Sequence, residues 1–276
     1  MGVRCVRGVP ARGVPAGGVI AAGAGPAKAG GLPARGVIVR HAGYDQPETL
    51  PAAFAGTHRL LLISSNQVGR RVVQHRAVVA AAQQIGVELF AYTSLLRADT
   101  SQMILAEEHR VTEELIRDAG LPYVFLRNGW YLENYTSALA PALTRGVLLG
   151  AAGDGRISAA SRADFAAAAA AVLAGGDHAN RVYELGGDTA FTMAELAAEV
   201  SRQAGTRVVY QNLSVDDYRA ALIAGGLPES EATVLADADA GVARGELATD
   251  SRQLRELIGR PTTTLAQAVA RGLATS

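Results

Sequence analysis

Three short clusters in this chain combine hydroxyls, amides and aromatic rings in a way that suits ligand binding. They are Ser64-Ser65-Asn66, Tyr92-Thr93-Ser94 and the run Arg-Asn-Gly-Trp-Tyr-Leu-Glu-Asn-Tyr over 127–135. The last holds the only Trp of the chain and two of its eight Tyr. Each cluster follows a short apolar run that reads as a buried strand. In an open parallel sheet, strand ends share one edge, and ligands bind in the crevice outside that edge. Hydroxyls, an amide and a Gly at that edge suit a neutral or phosphorylated ligand. Trp130 and Tyr131 serve equally well as packing, because large aromatics bury readily.

Other chemistries lack their residues. The five His are scattered, and neither His-Glu-x-x-His nor Cys-x-x-Cys occurs, so no metal site is expected. No Gly-x-Ser-x-Gly elbow is present, which argues against a lipase or protease of that kind. The formal net charge is zero, so nothing draws the chain to nucleic acid or an anionic membrane. No apolar run reaches the ~18 residues of a membrane span. The single Cys, Cys5, leaves no internal disulfide and fits a reducing compartment, so a cytoplasmic location is expected.

The elements that position these clusters alternate. Residues 59–65 and 88–94 are continuous apolar runs ending in hydroxyls, as strands buried on both faces are. Residues 122–126 form a third such strand. Helices are expected over 48–55, 74–85 and 106–119, with Gly120 closing the last. Further strands are expected near 18–22, 36–39, 181–185 and 207–212, and helices over 162–173, 192–204 and 215–224. Thr192 with Glu195 reads as a capping box, and residues 262–264 as the cap of a last helix over 265–273. Strand and helix alternate as in a doubly wound α/β sheet, with six strands expected in one parallel sheet. At 276 residues, with 49% hydrophobic, the chain can build one large domain and a smaller lobe. Residues 1–150 are expected to form a dinucleotide-binding domain, and 151–276 to complete the sheet and form a small C-terminal α/β lobe.

Whole phrases of this sequence resemble the NmrA-like atypical short-chain dehydrogenases, and within them the bacterial NAD(P)H:quinone oxidoreductase type. These are Leu-Leu-Leu-Ile-Ser-Ser-Asn-Gln-Val-Gly over 60–69, Ala-Tyr-Thr-Ser-Leu-Leu over 91–96 and the run over 126–135. Shorter matches lie at 74–76, 98–101, 107–109, 150–155, 161–164, 183–187, 210–214 and 261–265. The resemblance covers about residue 35 to about residue 270. It implies a Rossmann-like fold and hydride transfer from NADPH, with NADH as the alternative donor, to a small-molecule quinone. A homodimer is among the assemblies it admits. It places Ser64, Ser65, Asn66, Val68 and Gly69 along the cofactor, Arg71 at a phosphate or as a solvated helix charge, and Thr93 and Ser94 at a ribose or as caps of their strand end. Asn128, Gly129, Trp130 and Tyr131 would line the nicotinamide and quinone pocket. His109 stands where related families place a Lys; with Asn128 and Tyr131 it forms the implied catalytic set, the alternative being a surface His that helps its helix start. Neither Tyr-x-x-x-Lys nor any Lys besides Lys28 is present. A quinone is already electrophilic, so the protein's work is positioning more than acid catalysis.

The departure lies at the beginning. Such proteins open on a strand and Gly-x-x-Gly-x-x-Gly, whose glycines bring backbone N–H groups to the pyrophosphate. Residues 1–25 contain no such spacing; Gly23-Ala24-Gly25 is the nearest approach. Ala24 stands where an Arg for the 2′-phosphate is expected, and Lys28 is the cation left nearby. Gly43 replaces an Asp ahead of Tyr44-Asp45. Residues 1–44 carry six Lys or Arg, no Asp or Glu, and eleven Gly. This is superficially like a transit peptide, but Ser is lacking and Pro10 and Pro15 would break its helix. A shifted reading frame in a GC-rich gene would give such a composition. The first strand and Gly loop are therefore expected to be degraded. Three functions follow: a quinone reductase, a dinucleotide-sensing regulator without turnover, or an inactive remnant.

Overall fold

The computed structural model describes residues 12–23, 31–136 and 139–275. In chain order the strands and helices are β1 (Ile20–Gly23), β2 (Ile38–His41), α1 (Leu50–Phe54), β3 (Arg59–Leu62), α2 (Arg71–Ile85), β4 (Leu89–Leu95), α3 (Ile104–Asp118) and β5 (Tyr123–Asn128). There follow α4 (Glu133–Thr136), α5 (Leu139–Arg145), β6 (Val147–Gly150), α6 (Arg162–Ala174), β7 (Arg181–Leu185) and α7 (Met193–Ala204). The chain closes with β8 (Val209–Asn212), α8 (Val215–Ala224), α9 (Glu229–Ala243), α10 (Gln253–Ile258) and α11 (Leu265–Leu273). The chain divides into two compact units. The first holds the residues up to Leu95 with Glu108–Arg127 and Ala163–Tyr183; the second holds Leu96–Glu107, Asn128–Arg162 and Glu184–Ser276.

In the first unit, β4 is buried at every position, whereas β3 alternates between half-buried and buried. Strands buried on both faces need apolar or internally bonded residues throughout. Leu-Phe-Ala-Tyr-Thr-Ser-Leu supplies them, and its hydroxyls find partners. Strands β3, β4, β5 and β7 lie in that order, with β3 and β4 parallel. One core joins Leu60, Leu62, Phe90, Tyr92 and Phe125 to Val78 and Ala82 of α2 and Leu50 and Phe54 by α1. Helix α2 stops at Gly86, whose positive φ of 68° lets its N–H reach back to Ala82 and Gln83.

The expectation of one six-strand sheet needs correction. Strands β1 and β2 pair in parallel with each other, Ile20 opposite Ile38, but form a sheet of their own. Among the described residues no ladder joins them to β3. Their core is also separate: Val19, Leu32 and Val37 pack against Ala170 of α6. The same helix accepts from Arg59 of β3, Nη1 to the Val172 carbonyl at 3.2 Å. On the far side Arg40 of β2 donates to the carbonyls of Ala53 and Ala55. Helices thus hold both sheets where strand hydrogen bonds do not. The expected loss of a first strand concerns residues that lie partly outside the described ones, as do Ala24, Gly25 and Lys28; residues 12–19 contain no strand.

In the second unit, β6 and β8 form a parallel pair, Gly150 opposite Asn212. Sequence reasoning missed β6, α4 and α5. They are short, and a four-residue strand carries little periodicity. Helix α7 has its full capping box: Thr192 accepts from the Glu195 N–H, and Glu195 accepts from the Thr192 N–H. Helix α11 repeats the device with Thr264 and Gln267. At Gly187 a Cβ would stand 2.1 Å from the Ala159 carbonyl oxygen, so the backbone approach there admits only Gly.

Candidate active site

In the first unit the segment after β3 is held by side chains from several elements. The Ser64 N–H donates to Thr93 Oγ1 at 2.9 Å, and the Ser65 N–H to His75 Nε2 at 3.2 Å. Arg71 Nε donates to the Ser65 carbonyl at 2.6 Å, and Tyr44 to the Ile63 carbonyl at 2.9 Å. The Gly69 N–H donates to the Glu108 carboxylate at 3.1 Å, with φ of 86° at Gly69. Asn66 and Val68 are exposed between these anchors. A loop of small residues becomes a fixed edge because its backbone groups are bonded before any ligand arrives.

Beneath that edge runs a buried polar chain. His75 Nε2 accepts from Ser65, so its proton sits on Nδ1 and goes to Thr112 Oγ1 at 3.0 Å; Thr112 in turn donates to the Glu108 carbonyl. Tyr92 Oη lies 2.7 Å from His109 Nδ1, and Arg71 Nη1 lies 3.5 Å from His109 Nε2. Burial, then Arg71, lowers the His75 pKa to about 4. Burial, then Arg71 and His75, lowers that of His109 to about 3. Both rings are therefore neutral near pH 7. His109 lies inside the fold, 7% exposed, and not on the helix surface as a capping His would be.

Two of the expected hydroxyl contributors are already engaged. Ser94 donates to Glu113 Oε1 at 2.6 Å. Arg127 grips the same carboxylate through Nε (2.9 Å) and Nη2 (2.7 Å), and Arg117 adds a longer contact. This buried ion pair fixes the end of β5. Thr93 serves as the acceptor for Ser64.

Asn128, Gly129, Trp130 and Tyr131 belong to the second unit. The Asn128 carbonyl accepts from Leu96 N–H at 2.9 Å. Gly129 donates to the Leu185 carbonyl at 2.7 Å, and a Cβ there would stand 3.1 Å from that oxygen. Gly129 thus answers a close backbone approach. The Trp130 carbonyl accepts from Ala160, and Leu132 donates back to Ala160. Tyr131 lies beneath the Arg162 guanidinium, 4.9 Å from the ring centre. The structure therefore groups Ser64, Ser65, Gly69, Arg71, Thr93, Ser94 and His109 in one unit, and Asn128 to Tyr131 in the other.

Sequence reasoning missed a second buried cluster, in the second unit. Asp239 Oδ2 accepts from the Ala151 N–H at 2.8 Å. Tyr210 Oη accepts from the Ala152 N–H and donates to Asn212 Oδ1. A Cβ on Gly150 would stand 2.8 Å from the Asp239 carboxylate. Burial raises the Asp239 pKa to about 6. Burial, then Asp239, pushes the Tyr135 and Tyr218 hydroxyls up; the Tyr135 hydroxyl is buried with no hydrogen-bond partner. The cluster left its traces in the sequence in the phrases over 126–135, 150–155 and 210–214; Asp239 sits in an Ala-rich helix with no local signal. Among the described residues no group of three or more His, Cys, Asp or Glu could hold a metal ion. No described helix is long and apolar enough to cross a membrane.

The chain was compared with known proteins. It is 52% identical to quinone oxidoreductase 2 of Escherichia coli over 245 residues, covering 89% of this chain and 86% of that protein. The crystal structure of the NADPH-dependent quinone oxidoreductase QOR2 from E. coli, complexed with NADPH, superposes with a TM-score of 0.94. That match covers 97% of this chain and 94% of the other, at 50% identity. Triphenylmethane reductase of Citrobacter sp., complexed with NADP(H), matches with a TM-score of 0.92 at 35% identity, over 98% and 95% of the two chains. The fold is accordingly α/β with a parallel sheet, as expected. Residues 25–250 carry the pattern of the NmrA-like family, and with this edge, these strand ends and these relatives the chain belongs to that family.

Proposed function

We propose that this protein is an NAD(P)H-dependent oxidoreductase that passes a hydride to a quinone. The observation that carries the reading is the 50% identity and 0.94 TM-score to an NADPH-dependent quinone oxidoreductase across almost the whole chain. The cofactor is NADPH, and its chemistry is supply of the hydride. The first unit fits such a group: Arg71 offers a buried cation beside the strand-end loop, and Gln74 Oε1 is a buried acceptor without a partner. Ser64, Ser65, Asn66, Val68 and Gly69 would flank the cofactor. Asn128, Gly129, Trp130 and Tyr131 would hold the nicotinamide and the flat acceptor. The quinone gains a hydride and a proton to become a hydroquinone, and water can furnish the proton. Neutral His109 is no proton donor at pH 7, so we assign it no acid role. Thr93 and Ser94 would need to exchange their present partners to reach a ribose. We read the compartment as cytoplasmic from the single Cys, and the assembly as a homodimer, which light scattering would check.

Calorimetric titration with NADPH and NADH, followed by benzoquinone and absorbance at the reduced-nicotinamide band, tests the reading. Binding with turnover is expected. Binding without turnover supports the second reading, a dinucleotide sensor. Silence would mean a remnant. The absence of Gly-x-x-Gly-x-x-Gly from residues 1–25 is what keeps these alternatives in view. Each lost charge-assisted bond to the pyrophosphate costs about 1.5–3 kcal/mol. Replacing residues 1–25 by a strand and intact Gly loop is therefore expected to tighten NADPH binding by orders of magnitude. Equal affinity would show that the loop is dispensable.

A further inference from the structure

Arg71 is a buried cation that has no acid beside it in an ion pair among the described residues. It is 8% exposed, and its two contacts, Ser65 O and His109 Nε2, use two of the five N–H groups that a guanidinium carries. Among the described residues no carboxylate pairs with it, and three acids of the same unit are engaged elsewhere. Glu108 accepts from Gly69; Glu113 accepts from Arg127 and Ser94; Asp45 accepts from Arg70 and Gln74. Burying an uncompensated charge is costly unless an anion completes the site. One turn along the same face of α2, Gln74 Oε1 is a buried acceptor without a partner; it suits a donor such as a ribose hydroxyl and not the phosphate itself.

The ring beside Arg71 is suited to hold it. Arginine only donates, so His109 Nε2 must accept, and the His109 proton lies on Nδ1, facing Tyr92 Oη at 2.7 Å. Tyr92 is fully buried and fixes the ring plane from behind. A protonated imidazole would repel the guanidinium. Burial and Arg71 itself keep the ring neutral, with its pKa at about 3.

We propose that Arg71 is the anion-binding residue of the dinucleotide site and that His109 is its positioning residue, holding the guanidinium through a neutral ring nitrogen. This rests on the dinucleotide reading above and changes the part given to His109 from catalysis to support. The ligand chemistry is a phosphate group, either the 2′-phosphate or the pyrophosphate.

The test uses the full chain and its variants Arg71→Gln, His109→Gln, His109→Leu and Tyr92→Phe. Affinities for NADPH, NADH and inorganic pyrophosphate are measured by calorimetry, and each variant's thermal midpoint is recorded. Arg71→Gln is expected to weaken nucleotide binding at least tenfold. His109→Leu is expected to weaken it about tenfold. His109→Gln, whose amide oxygen can accept from Arg71, is expected to stay within about threefold of the parent. Tyr92→Phe should fall between, and it stands in if His109→Leu does not fold. A loss confined to NADPH identifies the 2′-phosphate; a loss shared with NADH identifies the pyrophosphate; either supports the proposal. Arg71→Gln within twofold of the parent overturns it. Equal losses in His109→Leu and His109→Gln overturn the positioning role. A parent chain that binds pyrophosphate through Arg71 but neither nucleotide keeps the anion site and removes the dinucleotide reading; one that binds none of the three removes both.

Discussion

The two units bury polar groups in opposite ways. The first unit threads them into a chain, Ser65–His75–Thr112 on one side and Arg71–His109–Tyr92 on the other, with the Glu113–Arg127 pair beside it. Its two buried histidines, His75 and His109, are forced neutral. The second unit buries one carboxyl, Asp239, that is met by a backbone N–H and lies close enough to Tyr135 and Tyr218 to raise their pKa values. Its acid is pushed toward the neutral form. Low pH therefore strains the first unit and relaxes the second. A single pH profile of stability sums two opposed contributions, and variants are needed to separate them.

The largest expected effect comes from breaking the ion pair. Glu113→Ala takes this carboxylate from the buried Arg127 and is expected to cost about 3–5 kcal/mol in urea unfolding. The comparison predicts that Asp239→Asn, at pH 8, does the reverse: it keeps an acceptor for Ala151, removes a buried charge, and should be neutral or stabilising. A loss for Asp239→Asn as large as that for Glu113→Ala would erase the distinction.

Next come the titrations. His75 has a folded pKa near 4 against 6.5 ordinarily, so the unfolded chain takes up a proton that the folded one refuses. Stability should fall as pH drops from 6.5 to 4, by on the order of 3 kcal/mol for this group alone. Asp239 has a folded pKa near 6 against 3.8, so the folded chain holds a proton that the unfolded one releases. Its contribution is present below pH 4 and is lost as pH rises to 6, by roughly 2–3 kcal/mol. Between pH 4 and 6 the two oppose. Asp239→Asn should steepen the acid loss, and His75→Gln should lessen it, leaving the part that the neutral His109 contributes. Parallel profiles for parent and Asp239→Asn would end the argument.

The smallest effect sharpens the comparison from outside the buried clusters. Thr192→Ala removes the α7 cap and is expected to cost about 1 kcal/mol, independent of pH from 5 to 8. A marked pH dependence there would mean that the cap is coupled to Asp239.

Local rules made much of this legible. The helix Val215–Ala224, the Thr192 capping box and the Thr264-capped last helix follow from short-range residue chemistry and stand where the sequence put them. The strand ends at Ser64, Thr93 and Asn128 were legible because apolar runs stop at polar residues. What was not legible depends on distant partners. Nothing near Ser94 announces Glu113, nineteen residues on. His109 gives no local sign of burial, because its neighbours Glu107, Glu108 and Arg110 are charged; only the helix face it occupies decides. Asp239 is set by a loop 88 residues away. The division of the strands into two sheets likewise depends on pairing between segments far apart in sequence.

That division bears on how the molecule opens. The ribbon of Ile20–Gly23 and Ile38–His41 has one ladder partner each among the described residues, and Ala22 and Gly23 are exposed. Its anchorage is a small cluster of Val19, Leu32, Val37 and Ala170, together with the Arg40 bonds to the Ala53 and Ala55 carbonyls. Few buried contacts and solvent-facing backbone bonds mark a segment that detaches well below the global unfolding free energy. Its amides should exchange with deuterium long before those of Leu89–Leu95, and a protease should cut within it while the rest of the chain stays folded. The outer edge of β3 is joined to the ribbon by no ladder among the described residues, and such an edge is a row of backbone groups that another chain could join. Partial proteolysis of the protein then reports the opening of this ribbon, not the stability of the whole.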